Sequence, residues 1–598
     1  MTRFGKTSKL VAAALGGALV LSACSGDNGG NGDDDGNTSN ESQGGGGGTV
    51  ILAYEQELFS WNPTAADANA SANSIPTYWV TTGFWYFGEN GVVTANDEFG
   101  SYEKVSDDPL IVEYTINENA VWSDGTPIDC ADVLLHWSQQ GGYLGWGASG
   151  YAGMEDVKLP DCEPGDKEFT YEYRKPFADW ESVAPGQGNN TMMPAHVVAE
   201  QGGLTTEELV EIIKGVDWED ADAREAGAEE ANEQLADAIE FFTTGWLIEG
   251  GLPDAAHIPS SGPFTFGEYQ PGESLTLVPN ESYWGEAPNA DEVIIRYIEQ
   301  NEQAQALQNG EVDIVAPQPS PDLKAQLEAM DGVEVSVFDQ YIYEHLTLNF
   351  ESGPFAESPE LREAFLLCLP RETIVENLIR PVDEDAQVLN STVMQAFEPG
   401  YDELVSGSLP SEYGEQDIDA ARQILEDNDA VGTTIEVRTL DNPRRNQQGQ
   451  LIADACTEAG FEIDFEAHGD FFEGDGAMYN NRYHAAMFAW QGSSLVSGWN
   501  STYRTPGECS ASDKGNNTGC YSNEDMDRML DEVLRITEED ERNEMLSDIS
   551  AHLWENGVVV PLFSHPGMAA WSEDVENIVP NPAQSDIVWN MPEWQRSS

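Results

Sequence analysis

The stretch Y-T-I-N-E-N-A-V-W-S-D-G-T-P-I-D-C-A-D-V-L, Tyr114 to Leu134, passes from a strand through a tight turn into a helix. Leu110 to Ile116 alternates apolar and polar residues, the period of a strand with one face buried. Trp122 to Pro127 supplies the Asp-Gly and Thr-Pro chemistry of a turn. Asp129 then stands where a side-chain oxygen caps a helix, and Val133, Leu134 and Trp137 give that helix an apolar, amphipathic stripe. Strand and helix therefore follow one another closely, which places the chain in the α/β class.

Reading outward from that stretch repeats the alternation. Upstream, T-V-I-L-A-Y at Thr49 to Tyr54 reads as a first buried strand, broken by Asn62-Pro63. Downstream, Leu204 to Ile248 is rich in Ala and Glu and reads as inserted surface helices. Strands return between Gly262 and Ile314, and Tyr341 to Asn349 is a further strand. A helix with Pro359 at its first position carries Leu361, Phe365, Leu366 and Leu369. A helix at Ile418 to Leu425, a strand at Thr433 to Leu440, a helix ending at Ala459 and a strand at Phe461 to Phe465 continue the pattern. Asn523 and Thr537 are placed to cap two late helices, the second running to Trp554 and stopped by Gly557. Val558 to Phe563 reads as a short buried strand, followed by turns and weak strands to the end.

A length of 598 residues exceeds what one core accommodates, so two or three are expected. With 26 Lys and Arg against 108 Asp and Glu, the formal net charge is −82. Such a body repels nucleic acid and anionic surfaces. Because the acids are spread along the whole chain, they read as a solvated surface suited to a salty or alkaline exterior.

The N-terminus reads as an address. Arg3, Lys6 and Lys9 precede the apolar run Leu10 to Leu21, the length of an export signal and too short to span a bilayer. The run ends in Leu21-Ser22-Ala23-Cys24, which resembles the bacterial lipobox, where Cys24 would receive lipid. Residues 1–23 are thus expected to be a signal peptide and 24–48 a flexible tether of Gly, Asn, Asp and Ser. Six cysteines remain, an even number in an exported chain. Cys509 and Cys520 bracket a turn-rich segment and are expected to pair locally. Cys130 with Cys162 and Cys368 with Cys456 are then taken as pairs, other pairings of these four staying open.

Enzymatic signatures are missing from the sequence. It holds no phosphate loop, no GxGxxG after a strand, no HExxH and no GxSxG. Of its eight histidines, His552 and His565 flank a helix end and a strand instead of sharing a face. No cysteine or histidine pair has zinc-ligand spacing, so neither metal nor cofactor is expected.

Several blocks, in order along the chain, resemble the extracytoplasmic solute-binding proteins of dipeptide, oligopeptide and nickel ABC importers, family 5 in its actinobacterial form. They are Tyr114 to Leu134, G-P-F with L-V-P-N-E-S-Y-W-G (Gly262 to Gly285), A-L-Q-N-G-E-V-D-I (Ala306 to Ile314), L-R-E-A-F with R-E-T-I (Leu361 to Ile374) and V-V-V-P-L-F (Val558 to Phe563). The resemblance implies a bilobal periplasmic-binding-protein type II-like fold with an extra subdomain in the first lobe. Lobe I would span 49–340 with the insertion at about 76–255, lobe II 341–557, and 558–598 would return to lobe I. Crossover strands are expected near Tyr341 to Asn349 and Val558 to Phe563, and the lobes would close over a ligand.

The resemblance also implies an extracytoplasmic lipid-anchored monomer that is no enzyme. Its partners would be a small solute, a peptide above all, and ABC permease subunits in the membrane, with no nucleic acid. In peptide binders of the family, a tryptophan-rich segment of lobe II carries an aspartate for the ligand's α-amino group. The matching segment here, Met487 to Arg504, has no acid. Ligand-binding candidates are therefore Trp490, Gln491, Trp499, Asn500, Tyr503 and Arg504, with Phe59 and Trp61 from lobe I and Tyr343 near the hinge. Arg444 and Arg445 join them, since cations are scarce and arginine clamps carboxylates. The missing acid also fits an alternative role, a lipoprotein of this fold in envelope glycolipid assembly or sensing.

Overall fold

A computed structural model describes residues 47–474, 476–510 and 514–597. The export signal, Cys24 and the tether through residue 46 lie outside the described residues. The deciding stretch forms as its chemistry predicts. The Asp129 carboxylate accepts from the Ala131 N–H at 2.8 Å and from Gly165 at 2.8 Å, while Asp132 accepts from the Asp129 N–H at 3.0 Å and from Ala195 at 2.9 Å. One capping box thus starts the helix Cys130–Gln140 and fixes two distant segments. Gly125 closes the preceding turn with φ +89°, a conformation that a side chain would oppose. The expectation of an amphipathic helix is corrected: Cys130–Gln140 is buried on every face, because further helices of the insertion cover the side meant for water.

A ten-stranded sheet runs through the molecule, in the order Glu462–His468, Thr434–Leu440, Ala485–Gln491, Val333–Leu348, Val559–Ser572, Ile314–Val315, Thr49–Tyr54, Glu292–Tyr297, Ser274–Pro279 and Phe264–Gln270. The fourth and fifth strands in that order are the crossovers, antiparallel to each other. The C-terminal half of Val333–Leu348 pairs with lobe II, Ile342 opposite Gln491 through Leu348 opposite Ala485. The C-terminal half of Val559–Ser572 pairs with lobe I, Trp571 opposite Ile314. Between Asp339 and Tyr343 the register of the crossovers shifts, marking where the sheet passes from one lobe to the other.

Both crossovers are longer than expected. The first begins at Val333 rather than Tyr341, and the return continues past Phe563 to Ser572, so the closing turns start later. His-Pro-Gly at 565–567 reads as a strand end, yet Pro566 sits at the register shift, where a missing N–H breaks no ladder bond. At Gly567 a Cβ would meet the Phe338 ring at 2.5 Å, so the close approach of the crossovers needs glycine there. Another correction concerns Thr537: the helix Glu539–Asn556 has Glu538 at its N-cap and no side-chain cap. Gly557 ends it in the left-handed conformation, as expected.

Apolar residues segregate by lobe. One large cluster joins strands and insertion from Val50 to Ile314 with Ala569 to Trp594, and three others among the described residues lie within Tyr343 to Phe563. The three disulfides are Cys130–Cys162, Cys368–Cys456 and Cys509–Cys520, the expected pairs. The first two are buried and tie helices to their lobes.

Candidate functional site

The helix Pro443–Ala459 begins at the hinge, with the Asn442 side chain accepting from the N–H groups of Arg444 and Arg445 at 2.9 and 3.4 Å. Its first turn thereby aims two arginines at the crossovers. Arg445 is buried and grips Glu344 of the first crossover with two bonds, Nε at 2.7 Å and Nη2 at 3.1 Å. His565 of the return strand meets the same carboxylate at 2.9 Å, and its other nitrogen lies 3.3 Å from Arg444 Nη2. A guanidinium only donates, so Nδ1 of His565 accepts and Nε2 carries the proton given to Glu344. Burial and the adjacent arginines hold His565 neutral, below its ordinary range. Burial alone would raise the Glu344 carboxyl, but His565 and Arg445 together drive it far below the carboxylate range.

Above this network lies a cavity of about 310 Å3 between the lobes. Crossover residues Gln340, Ile342 and His565 line it, lobe I contributes Tyr54, Glu55 and Asp586, and lobe II contributes Arg444 and Gln491. Arg444 lies over the Phe563 ring, 5.8 Å from its centroid, and its Nε is buried without a partner. Asp586 has one carboxylate oxygen, Oδ1, that is also buried and partnerless. Burial, with the charge of Glu55, pushes its pKa up to about 7.

Away from the cavity the lobes touch directly. The Asp179 carboxylate of lobe I accepts from the N–H groups of Val496 and Ser497 at 3.1 and 2.7 Å. Ser494 donates to the Gly91 carbonyl at 3.0 Å, and Arg535 pairs with Asp156 at 2.7 Å. The lobes therefore meet beside the cavity, and the acid that the Met487 to Arg504 segment lacks arrives from the other lobe. It is spent on that segment's backbone.

The model of the bacterial extracellular solute-binding proteins, family 5 (middle), matches residues 77–508. This chain is a family 5 solute-binding protein. An uncharacterized lipoprotein of Mycobacterium tuberculosis is 25% identical over 551 residues, covering 90% of this chain and 91% of the relative. The oligopeptide-binding protein OppA of Mycobacterium bovis is 23% identical, covering 82% of this chain and 75% of its own. Among solved structures, the periplasmic EDTA-binding protein EppA aligns with a TM-score of 0.75 at 20% identity, over 93% of this chain and 97% of its own. AppA of Bacillus subtilis, in complex with a nonapeptide, aligns at 0.61 and 17%, over 93% and 100%. At these identities the structures share the bilobal α/β fold.

In this family 5 protein the candidates separate. Arg444 and Gln491 line the interlobe cavity. Arg445 lies behind it, committed to Glu344. Trp490 borders a narrow crevice with Tyr503, and its indole N–H is buried and partnerless. Trp499, Asn500, Tyr503 and Tyr343 pack in lobe II, with the Asn500 amide donating to Leu530 O at 2.7 Å and the Tyr503 hydroxyl to Thr392 at 2.5 Å. Arg504 pairs with Asp531 at 2.8 Å. Trp61 is fully buried against Trp246, ring centroids 5.5 Å apart, and Phe59 is partly exposed; neither lines the cavity. Sequence reasoning missed Glu344 and Asp586, and left His565 outside the strand it belongs to.

Proposed function

We propose that this family 5 protein captures a small solute, of the peptide class, between its lobes and passes it to a membrane permease without altering it chemically. The observation that carries this is the interlobe cavity, walled by both lobes and by both crossovers, with Arg444 holding a guanidinium Nε that has no partner. A ligand stabilises a closed state only through contacts with both lobes, and this cavity has them. The nonapeptide held by AppA and the name of OppA support the peptide class.

The lobes are taken as 49–340, with the insertion at about 76–255, and 341–557, with 558–598 returning to lobe I. The protein acts as a monomer outside the cell, anchored through lipid on Cys24, as the lipoprotein relatives suggest. Native mass spectrometry of freshly purified protein tests the reading. A ladder of short-peptide masses is expected; a glycolipid or a sugar would replace it with the envelope role.

A further inference from the structure

A recess of about 600 Å3 lies apart from the interlobe cavity and shares no lining residue with it. Three segments distant in sequence wall it: Trp79 to Glu98, Pro263 to Asn289, and Asn577 to Glu593 of the C-terminal return. Three of its rings follow one another. The centroids of Trp79 and Tyr86 are 5.6 Å apart, and Tyr86 lies within 22° of parallel to Trp589 at 6.5 Å. No lysine, arginine or histidine is among the lining residues.

Acids line the recess too, which in a chain with 108 of them decides nothing. The direction of the hydrogen bonds does. Trp79 gives its indole N–H to the Val588 and Trp589 carbonyls at 3.0 and 2.9 Å, and Trp589 gives its own to Val579 O at 2.7 Å. The Tyr283 hydroxyl donates to Glu98 at 2.8 Å. The amides of Asn289 and Asn577 donate to the Glu593 carbonyl at 2.9 and 2.8 Å, and that of Asn590 to Asn577 O at 2.8 Å. Asn96, at 6% exposure, donates to Thr82 and to Gly83, both at 2.9 Å, while its carbonyl oxygen accepts nothing among the described residues. The Asp97 and Glu286 carboxylates likewise accept nothing there. The fold has thus engaged the donors of this wall and left acceptors and ring faces. Burial, then the charges of Glu593, Asp97 and Glu98, raise the pKa of the Tyr86 hydroxyl, so these acids converge on the middle ring.

Such a wall repels anions, and a neutral polyol would seek donors that are already committed. A bare metal ion needs several ligand atoms close together, and among the described residues no three acids here approach closely enough to supply them. A cation with an apolar surface fits both remaining features, because aromatic faces carry negative potential and carboxylates balance the charge. We propose that this recess binds an organic cation of the substituted-ammonium class, seated on Tyr86 and Trp589 with Asp97 and Glu593 balancing its charge. It is a second site, and it stands whatever the interlobe cavity holds.

Calorimetric titration of the full-length protein with choline, and with dimethylbutanol, its uncharged carbon isostere, tests the assignment. The buffer holds about 1 M KCl, where a Debye length of about 3 Å suppresses diffuse attraction of cations to the acidic surface. One choline per chain is expected, held at least about ten-fold more tightly than the alcohol, as a cation on desolvated rings should be. Trp589→Leu should remove most of that preference. So should Asp97→Asn combined with Glu593→Gln, whose exposed side chains can change without disturbing the core; this variant decides the matter if loss of the indole unfolds the protein. Asp419→Asn, an exposed acid of lobe II, should alter nothing. Equal affinity for choline and the alcohol overturns the proposal. A preference kept by the recess variants also overturns it, since the cation would then sit elsewhere, the interlobe cavity included. Neither result touches the peptide reading, which the masses retained on purification judge separately.

Discussion

Glu344 and Asp586 are carboxylates buried at the same cleft, and the fold treats them oppositely. Glu344 receives Arg445 twice and His565 once, and its proton affinity falls far below the ordinary range. Asp586 faces a second acid and no cation of its own lobe, and its pKa climbs to about 7. Burial alone pushes both upward; partners decide the outcome. A saturated acid under the floor fastens the two crossovers to lobe II, whereas Asp586 in the wall keeps one carboxylate oxygen buried without a partner.

The largest break in this contrast is Glu344→Leu. Removing one member of a buried ion pair leaves Arg445 uncompensated, which costs about 3–5 kcal/mol. Urea unfolding of the ligand-free protein should show a loss of that size, and a change under about 1 kcal/mol would mean the network does not bind the crossovers to lobe II. Arg445→Lys should be destabilising too, by less, since an ammonium cannot reproduce the two-bond fork.

Acidity separates the two carboxylates without removing either. Asp586 has an ordinary value of 3.8 and a folded value of about 7, so between these the native state binds more protons than the unfolded chain. Its contribution to stability is complete below 3.8 and is lost as pH rises through 7. Glu344 is lowered from 4.5, so its contribution is present above that value and is lost as pH falls. Relative to Asp586→Asn, wild type should therefore lose unfolding temperature from pH 4 to pH 7. Parallel curves for the two proteins would show that Asp586 is paired in solution.

How much of this was legible in the residues follows from how local each cause is. Asp129, Asp132 and Gly125 act on neighbours within a turn, and their roles could be read from Tyr114 to Leu134 without any knowledge of the rest. The crossovers were read too short because Pro566 and Gly567 mark turns locally, while the packing of Phe338 and the register shift that accommodate them come from a strand more than two hundred residues away. Arg444 could be picked out because cations are rare in this chain. Asp586 could not, being one acid among 108: what distinguishes it is one buried carboxylate oxygen without a partner, a property that exists only after folding. The aromatic candidates failed in the complementary way, because Trp61, Trp499 and Tyr503 have the composition of a ligand wall and the burial of a core.

The smallest effect belongs to Arg504, whose partner makes it the reference for Arg444. Its guanidinium reaches Asp531 at 2.8 Å with both side chains substantially exposed. Exposed pairs of this kind contribute about 0–1 kcal/mol, because water screens the charges and two long side chains must be ordered. Arg504→Gln should therefore leave unfolding nearly unchanged and ligand affinity within two-fold, an estimate of roughly 0.4 kcal/mol. Arg444→Gln, made and measured in parallel, removes a cation whose Nε has no partner in the fold. If the two substitutions weakened binding alike, the distinction between paired and unpaired charge at this cleft would not govern what the protein holds.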